Sequence, residues 1–123
     1  MARTERFVNG KNASLIWWGD KKRKDLATEA LRELKREGLI RGFVWAGDLS
    51  ILNPLKKRVD FYIVYIDGKY RVCPLSVRDK QSVGVCRKRH PEIAFIDVAP
   101  YESKESIKSK ILREIELRKT LSH

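Results

Sequence analysis

The chain has 123 residues, enough for one domain with a real core and little room for a second. Hydrophobic residues make up 42% and charged residues 35%, a globular rather than a disordered composition. No apolar run approaches the ~20 residues that span a bilayer, and the N-terminus carries no secretory pattern, so the expected compartment is the cytoplasm.

Lysine and arginine total 27 against 16 acidic residues, a net charge of +11. That excess favours a polyanionic partner, nucleic acid first, over a membrane surface.

Residues 1–19 read as an N-terminal arm in which Trp17 and Trp18 stand together. Asp20 suits a helix N-cap, because its carboxylate can accept first-turn N–H groups. Ala27, Ala30, Leu31 and Leu34 then recur at helical spacing, and Gly38 suits the left-handed position that ends a helix. Phe43–Trp45 and Leu49–Leu52 read as strand with a bulge near Gly47, closed by Asn53-Pro54. Val59–Ile66 is a second strand. Asp67-Gly68 predicts a two-residue type I′ turn, which needs positive φ at both positions. Tyr70–Val77 is a third strand, with a bulge or bend expected at Pro74, which has no N–H for the ladder.

Asp79–Arg89 reads as a short helix ended by His90-Pro91. Ile93–Val98 is a continuous apolar run, the pattern of a buried strand, ended by Pro100. Ser103 can cap a last helix whose apolar positions are Ile107, Ile111, Leu112 and Ile115. A helical crossover between the third and fourth strands makes those two parallel. The expected fold is α/β: an α-β-β-β-α-β core with a mixed central sheet, then a C-terminal helix. One domain is expected over 1–123, with the arm at 1–19, the core at 20–100 and the last helix in 101–123.

Polar residues collect at one end of the central hairpin. Asp60 stands at the mouth of the second strand, and Ser76 and Arg78 at the end of the third, with Asp79 and Lys80 just beyond. Antiparallel pairing brings these together. Asp60 reads either as a ligand for a cation or as a partner of Arg58 or Arg78. Glu29 reads as a solvated helix residue beside lysines and arginines. Asp48 and Asp97 are further carboxylates near this end. Cys73 and Cys86 have no CxxC spacing, and His90 and His123 are the only histidines, so buried free thiols are expected rather than a zinc site.

The element order and the hairpin "RVDFYIVYIDGKYRVCPLSVRDK" resemble the restriction-endonuclease-like, or PD-(D/E)XK, nuclease superfamily, which includes archaeal Holliday-junction resolvases and transposon end-cleaving endonucleases. Val59-Asp60 falls where that family has Pro-Asp, and Ser76-Val77-Arg78 where it has an acid, any residue and lysine. The resemblance covers about residues 20–100. It implies a phosphodiester-cleaving site that holds Mg²⁺ or Mn²⁺ on carboxylates, with Asp60 and Asp79 as metal ligands, Lys80 or Arg78 stabilising developing charge, and Glu29 contributed by the first helix. Serine at 76 and arginine at 78 depart from the pattern, since serine is a poor ligand and arginine stays protonated and cannot act as a base.

Three basic clusters complete the pattern: Lys21, Lys22, Arg23 and Lys24; Lys56, Lys57 and Arg58; and Arg87, Lys88 and Arg89 beside His90. Cations at a helix N-terminus oppose the macrodipole, so the first cluster is better explained by phosphate contacts than by stability. Trp17, Trp18 and Tyr70 read either as stacking platforms for bases or as packing residues. The expected function is DNA binding, with metal-dependent endonuclease activity on duplex or branched DNA, by a monomer or a homodimer. The alternatives are a non-catalytic nucleic-acid-binding module on the same fold, and a basic structural or assembly protein.

Overall fold

The computed structural model describes residues 21–46 and 59–121. The first helix, α1, covers 21–36, and Ala27, Ala30, Leu31 and Leu34 are all fully buried along one stripe. It closes in a Schellman arrangement: the Leu39 N–H donates to the Leu34 carbonyl at 2.9 Å and the Gly38 N–H to that of Lys35 at 3.0 Å. Gly38 has φ +78°, a conformation that costs glycine nothing. The chain then turns into β1 (Gly42–Trp45), β2 (Phe61–Asp67) and β3 (Lys69–Arg78), crosses over through α2 (Lys80–Arg89) to β4 (Ala94–Asp97), and ends in α3 (Lys104–Leu121).

The four strands form one sheet in the order β1-β2-β3-β4. β1, β2 and β3 pair antiparallel, and β4 lies parallel to β3 with Leu75 opposite Ala94 and Arg78 opposite Asp97. The mixed sheet and the element order match the sequence-based expectation. The arm at 1–19, the Asp20 cap, the strand expected at Leu49–Leu52 and the bulge near Gly47 lie outside the described residues.

Two local expectations are corrected. Only Gly68 has positive φ in the hairpin turn, at +77°, and Asp67 faces Lys69 directly, so the turn is not type I′. Pro74 makes no bulge. The β2–β3 register runs unbroken from Phe61↔Leu75 to Asp67↔Lys69, with Pro74 opposite Tyr62. The proline is tolerated because pairing with β4 begins only at Leu75, so Pro74 has a neighbouring strand on one side alone. The irregularity lies instead at the strand mouth. The Asp60 N–H donates to the Leu75 carbonyl at 2.8 Å although Phe61 is the register partner of Leu75. Two consecutive residues thus face one, the arrangement of a β-bulge.

Strand alternation divides the core. Phe61, Ile63, Tyr65, Cys73, Leu75, Val77, Ala94 and Ile96 face α1 and α3, where Ile107, Ile111 and Ile115 meet them. On the other face Phe95 packs with Val59, Val83 and Ile93 under α2. Away from α2 that second face is open: Val44, Ile66, Tyr70 and Val72 are exposed. Leu112 is partly buried against the main core rather than fully within it.

α1 and α3 are also joined by charge. Lys108, only 6% exposed, donates to Glu37 at 2.7 Å and Glu33 at 2.9 Å, and Lys104 reaches Glu33 at 2.7 Å. These lysine contacts hold the Glu33 carboxyl down at about 2 and raise the pKa of Lys108. Both cysteines are free, and burial pushes the Cys73 thiol up to about 11. Among the described residues no helix is long and apolar enough to cross a membrane.

Candidate nucleic-acid interface

The bulge at the mouth of β2 sets the Asp60 side chain beside the end of β3. Its Oδ2 accepts the Val77 backbone N–H at 2.8 Å and the Ser76 hydroxyl at 3.4 Å. Its Oδ1 lies 3.5 Å from Lys24 Nζ of α1. Ser76, fully buried, in turn accepts from Arg78 Nε at 2.9 Å. One carboxylate therefore faces one ammonium directly and one guanidinium through a hydroxyl. It also takes the place of a missing backbone acceptor, because the β2 ladder stops at Phe61 while β3 continues.

The neighbouring cations are fixed by backbone carbonyls. Arg23 Nε donates to the Val98 carbonyl at 3.0 Å, and the Val98 N–H donates to the Arg78 carbonyl at 3.1 Å. The segment after β4 thus ties the second basic residue of this end to the sheet. Lys24 lies 5.6 Å from the centre of the Trp45 ring, and that ring packs edge-on to Phe61. Asp97 and Glu102 meet Lys110 of α3 at 3.3 and 2.8 Å.

The remaining site residues fall in different places. Asp79 is the N-cap of α2: its Oδ1 accepts the Ser82 N–H at 2.8 Å and the Ser82 hydroxyl at 2.5 Å. Those bonds, with help from the Arg23 charge, hold its carboxyl below the usual range. With no bulge at Pro74, β3 ends at Arg78 and Asp79 caps the helix instead of joining the strand beside Asp60. Lys80 is exposed on the first turn of α2, and Glu29 is exposed on α1. Arg87, Lys88 and Arg89 form the last turn of α2, where they complement the helix dipole. At 1.5 Å per residue they lie about 10–14 Å along the axis from Lys80. Arg87 donates to the Phe95 carbonyl at 2.8 and 3.2 Å. Lys56, Lys57 and Arg58 lie outside the described residues.

These donors do not fit a resident divalent ion. Both Asp60 oxygens and Asp79 Oδ1 already have protein partners, and among the described residues no three His, Cys, Asp or Glu side chains gather into a metal-holding group. Sequence reasoning missed Lys24 as a direct partner of Asp60; of the two partners it named, Arg78 is linked to the carboxylate through Ser76 and Arg58 lies outside the described residues. Lys24 lies three residues before Ala27 and seven before Leu31, so its spacing puts it beside the buried stripe, but no local signal sets that stripe against the end of β3. Against known proteins, no family model, curated protein or solved structure matches the chain.

Proposed function

We propose that the chain is a DNA-binding domain that contacts phosphates with the start of α1 and the adjoining end of the sheet. The observation that carries this reading is the meeting of Lys24 with the Asp60 carboxylate and of Arg78 with the Ser76 hydroxyl bonded to it, with Arg23 fixed on the adjoining Val98 carbonyl. Lys21 and Lys22 extend the same basic edge at the helix N-terminus, and Lys21 is partly offset by Asp25 at 3.0 Å. In this reading Asp60 fixes the cations in place and phosphate meets their outer sides. The net charge of +11 supplies the long-range attraction.

Titration of the purified chain with duplex, branched and single-stranded DNA at several salt concentrations tests it. Affinity that falls log-linearly with salt supports phosphate binding. Salt-independent or undetectable binding would leave a basic structural protein as the better account.

A second reading, a degenerate or active Mg²⁺- or Mn²⁺-dependent endonuclease of the restriction-endonuclease-like type, draws support from the element order and from Asp60 lying beside residues 76–78. It requires cleavage of one of these DNA forms with either metal, abolished by Asp60→Ala. No cleavage with either metal on any form removes the enzyme and leaves the binding module.

A further inference from the structure

α2 stands on the sheet as a ridge. Val83 and Cys86 fix one side of it against Phe95, Ala46, Val59 and Ile93. α1 and α3 pack on the opposite face of the sheet. Among the described residues α2 is therefore the only helix on its face.

At about 3.6 residues per turn, the side of α2 away from Val83 and Cys86 is made by Gln81, Gly84, Val85 and Lys88. Lys80 and Arg89 stand at opposite margins of that side. All six are exposed. The helix contains four cations and no acidic residue. Arg87 alone among the cations turns toward the sheet, onto the Phe95 carbonyl at 2.8 Å. The flanking carboxylates are engaged: Asp79 caps Ser82, and Glu92, past the helix end, faces His90 Nδ1 at 3.7 Å. The outer side of α2 is thus uniformly basic and polar, apart from two residues.

Those two point to an external contact. Glycine is a poor residue for a helix interior, yet a Cβ at Gly84 would meet nothing within 4 Å, so no packed neighbour requires its absence. Val85 beside it is 54% exposed. A bare stretch of helix backbone and an apolar side chain, framed by cations, suit an anionic surface that comes close to the helix.

We infer that α2 enters the major groove of B-form DNA, with Gln81 and Lys88 toward the base edges. That groove is about 12 Å wide and admits a helix, and glutamine and lysine pair there with adenine and guanine. Gly84 lets the helix backbone approach the base edges, and Val85 offers contact to a thymine methyl. Lys80 and Arg89, on opposite margins, face the two phosphate walls. The inference rests on the DNA-binding reading and adds the element that reads the duplex. Lys80 follows Arg78 by two residues, so this ridge continues the phosphate-contacting end.

Fluorescence anisotropy of the full chain with three labelled duplexes tests this: plain DNA, the same DNA carrying glucosylated 5-hydroxymethylcytosine, and RNA of the same sequence. The added sugars fill the major groove, and the A-form major groove is too deep and narrow to be read. Plain DNA should bind about tenfold or more tighter than either. Gly84→Leu should weaken binding to plain DNA about tenfold or more while the melting temperature holds or rises, since leucine favours helix and the space is open. Gln81→Ala and Lys88→Gln should also weaken it, whereas Arg32→Gln, which removes a charge from an exposed position on α1, should leave it nearly unchanged. Equal affinity for plain and glucosylated DNA overturns the inference. So does equal loss in Arg32→Gln and Lys88→Gln, which marks general charge attraction. If Gly84→Leu melts early, unchanged binding in both Gln81→Ala and Lys88→Gln overturns it instead. Salt-dependent binding that ignores these variants removes α2 and leaves the DNA-binding reading standing; no binding to any duplex removes both.

Discussion

Asp60 shows how one side chain can stand in for backbone. β3 extends past the end of its partner strand, and the carboxylate accepts the Val77 N–H that no β2 carbonyl meets. Asp60→Ala leaves that N–H without its acceptor and takes the carboxylate away from Lys24. A loss of roughly 1–3 kcal/mol is expected from an unsatisfied buried donor, read as a lower thermal or urea midpoint. Asp60→Asn keeps an acceptor and loses only the charge, so its midpoint should fall less. The endonuclease reading makes the opposite forecast for Asp60→Ala, loss of cleavage with an unchanged midpoint, and one melt beside one cleavage assay separates the two. Serine at 76 fits the structural role, because its hydroxyl both donates to Asp60 and accepts from Arg78, which a second carboxylate could not do.

At the scale of elements, the junction of α1 and α3 should respond to acid. The Glu33 carboxyl titrates at about 2 in the fold, below the ordinary 4.5. A lowered acid contributes stability that is fully present above the unfolded value and is lost as pH falls toward the folded one. Melting temperature should therefore drop between about pH 4.5 and pH 2, and Glu33→Gln should flatten that part of the profile while lowering the midpoint at neutral pH. An unchanged profile in the variant would assign the acid response to other carboxylates. The helices and strands themselves were legible because periodicity reports which face is buried: Ala27, Ala30, Leu31, Leu34, Ile107, Ile111 and Ile115 are all core. The place of the turn at Asp67-Gly68 was legible too, but not its type, which is set by the pairing of Asp67 with Lys69, nor the fit of Pro74, which depends on where β4 begins to pair. At the polar end of the hairpin, Asp60, Ser76 and Arg78 were legible as a group from alternation and antiparallel pairing. Lys24 and Arg23 were not, since they come from α1, and only tertiary packing sets a helix against that end.

For the whole molecule, the placement of charge matters more than its sum. Reversing Lys21, Lys22 and Lys24 to glutamate should weaken DNA affinity more than three reversals on the outer face of α3. The salt slope should fall by about one unit per lost phosphate contact. Lys24→Glu also faces Asp60, so Lys21→Glu/Lys22→Glu alone serves as the variant that leaves that pair intact. Unchanged affinity and slope in both would move the binding face elsewhere. The half-covered third strand has a further consequence, in amide hydrogen exchange. Leu75–Arg78 pair with β4, have Leu75, Ser76 and Val77 buried and hold the Val77 N–H on the Asp60 carboxylate, whereas Lys69–Val72 pair with β2 alone and have largely exposed side chains. Opening the first group requires disrupting the core, while the second can be freed by fraying one hairpin. A single continuous strand should therefore carry a gradient of protection. Amides near its turn should exchange through local opening, and those near Val77 only when the whole sheet comes apart.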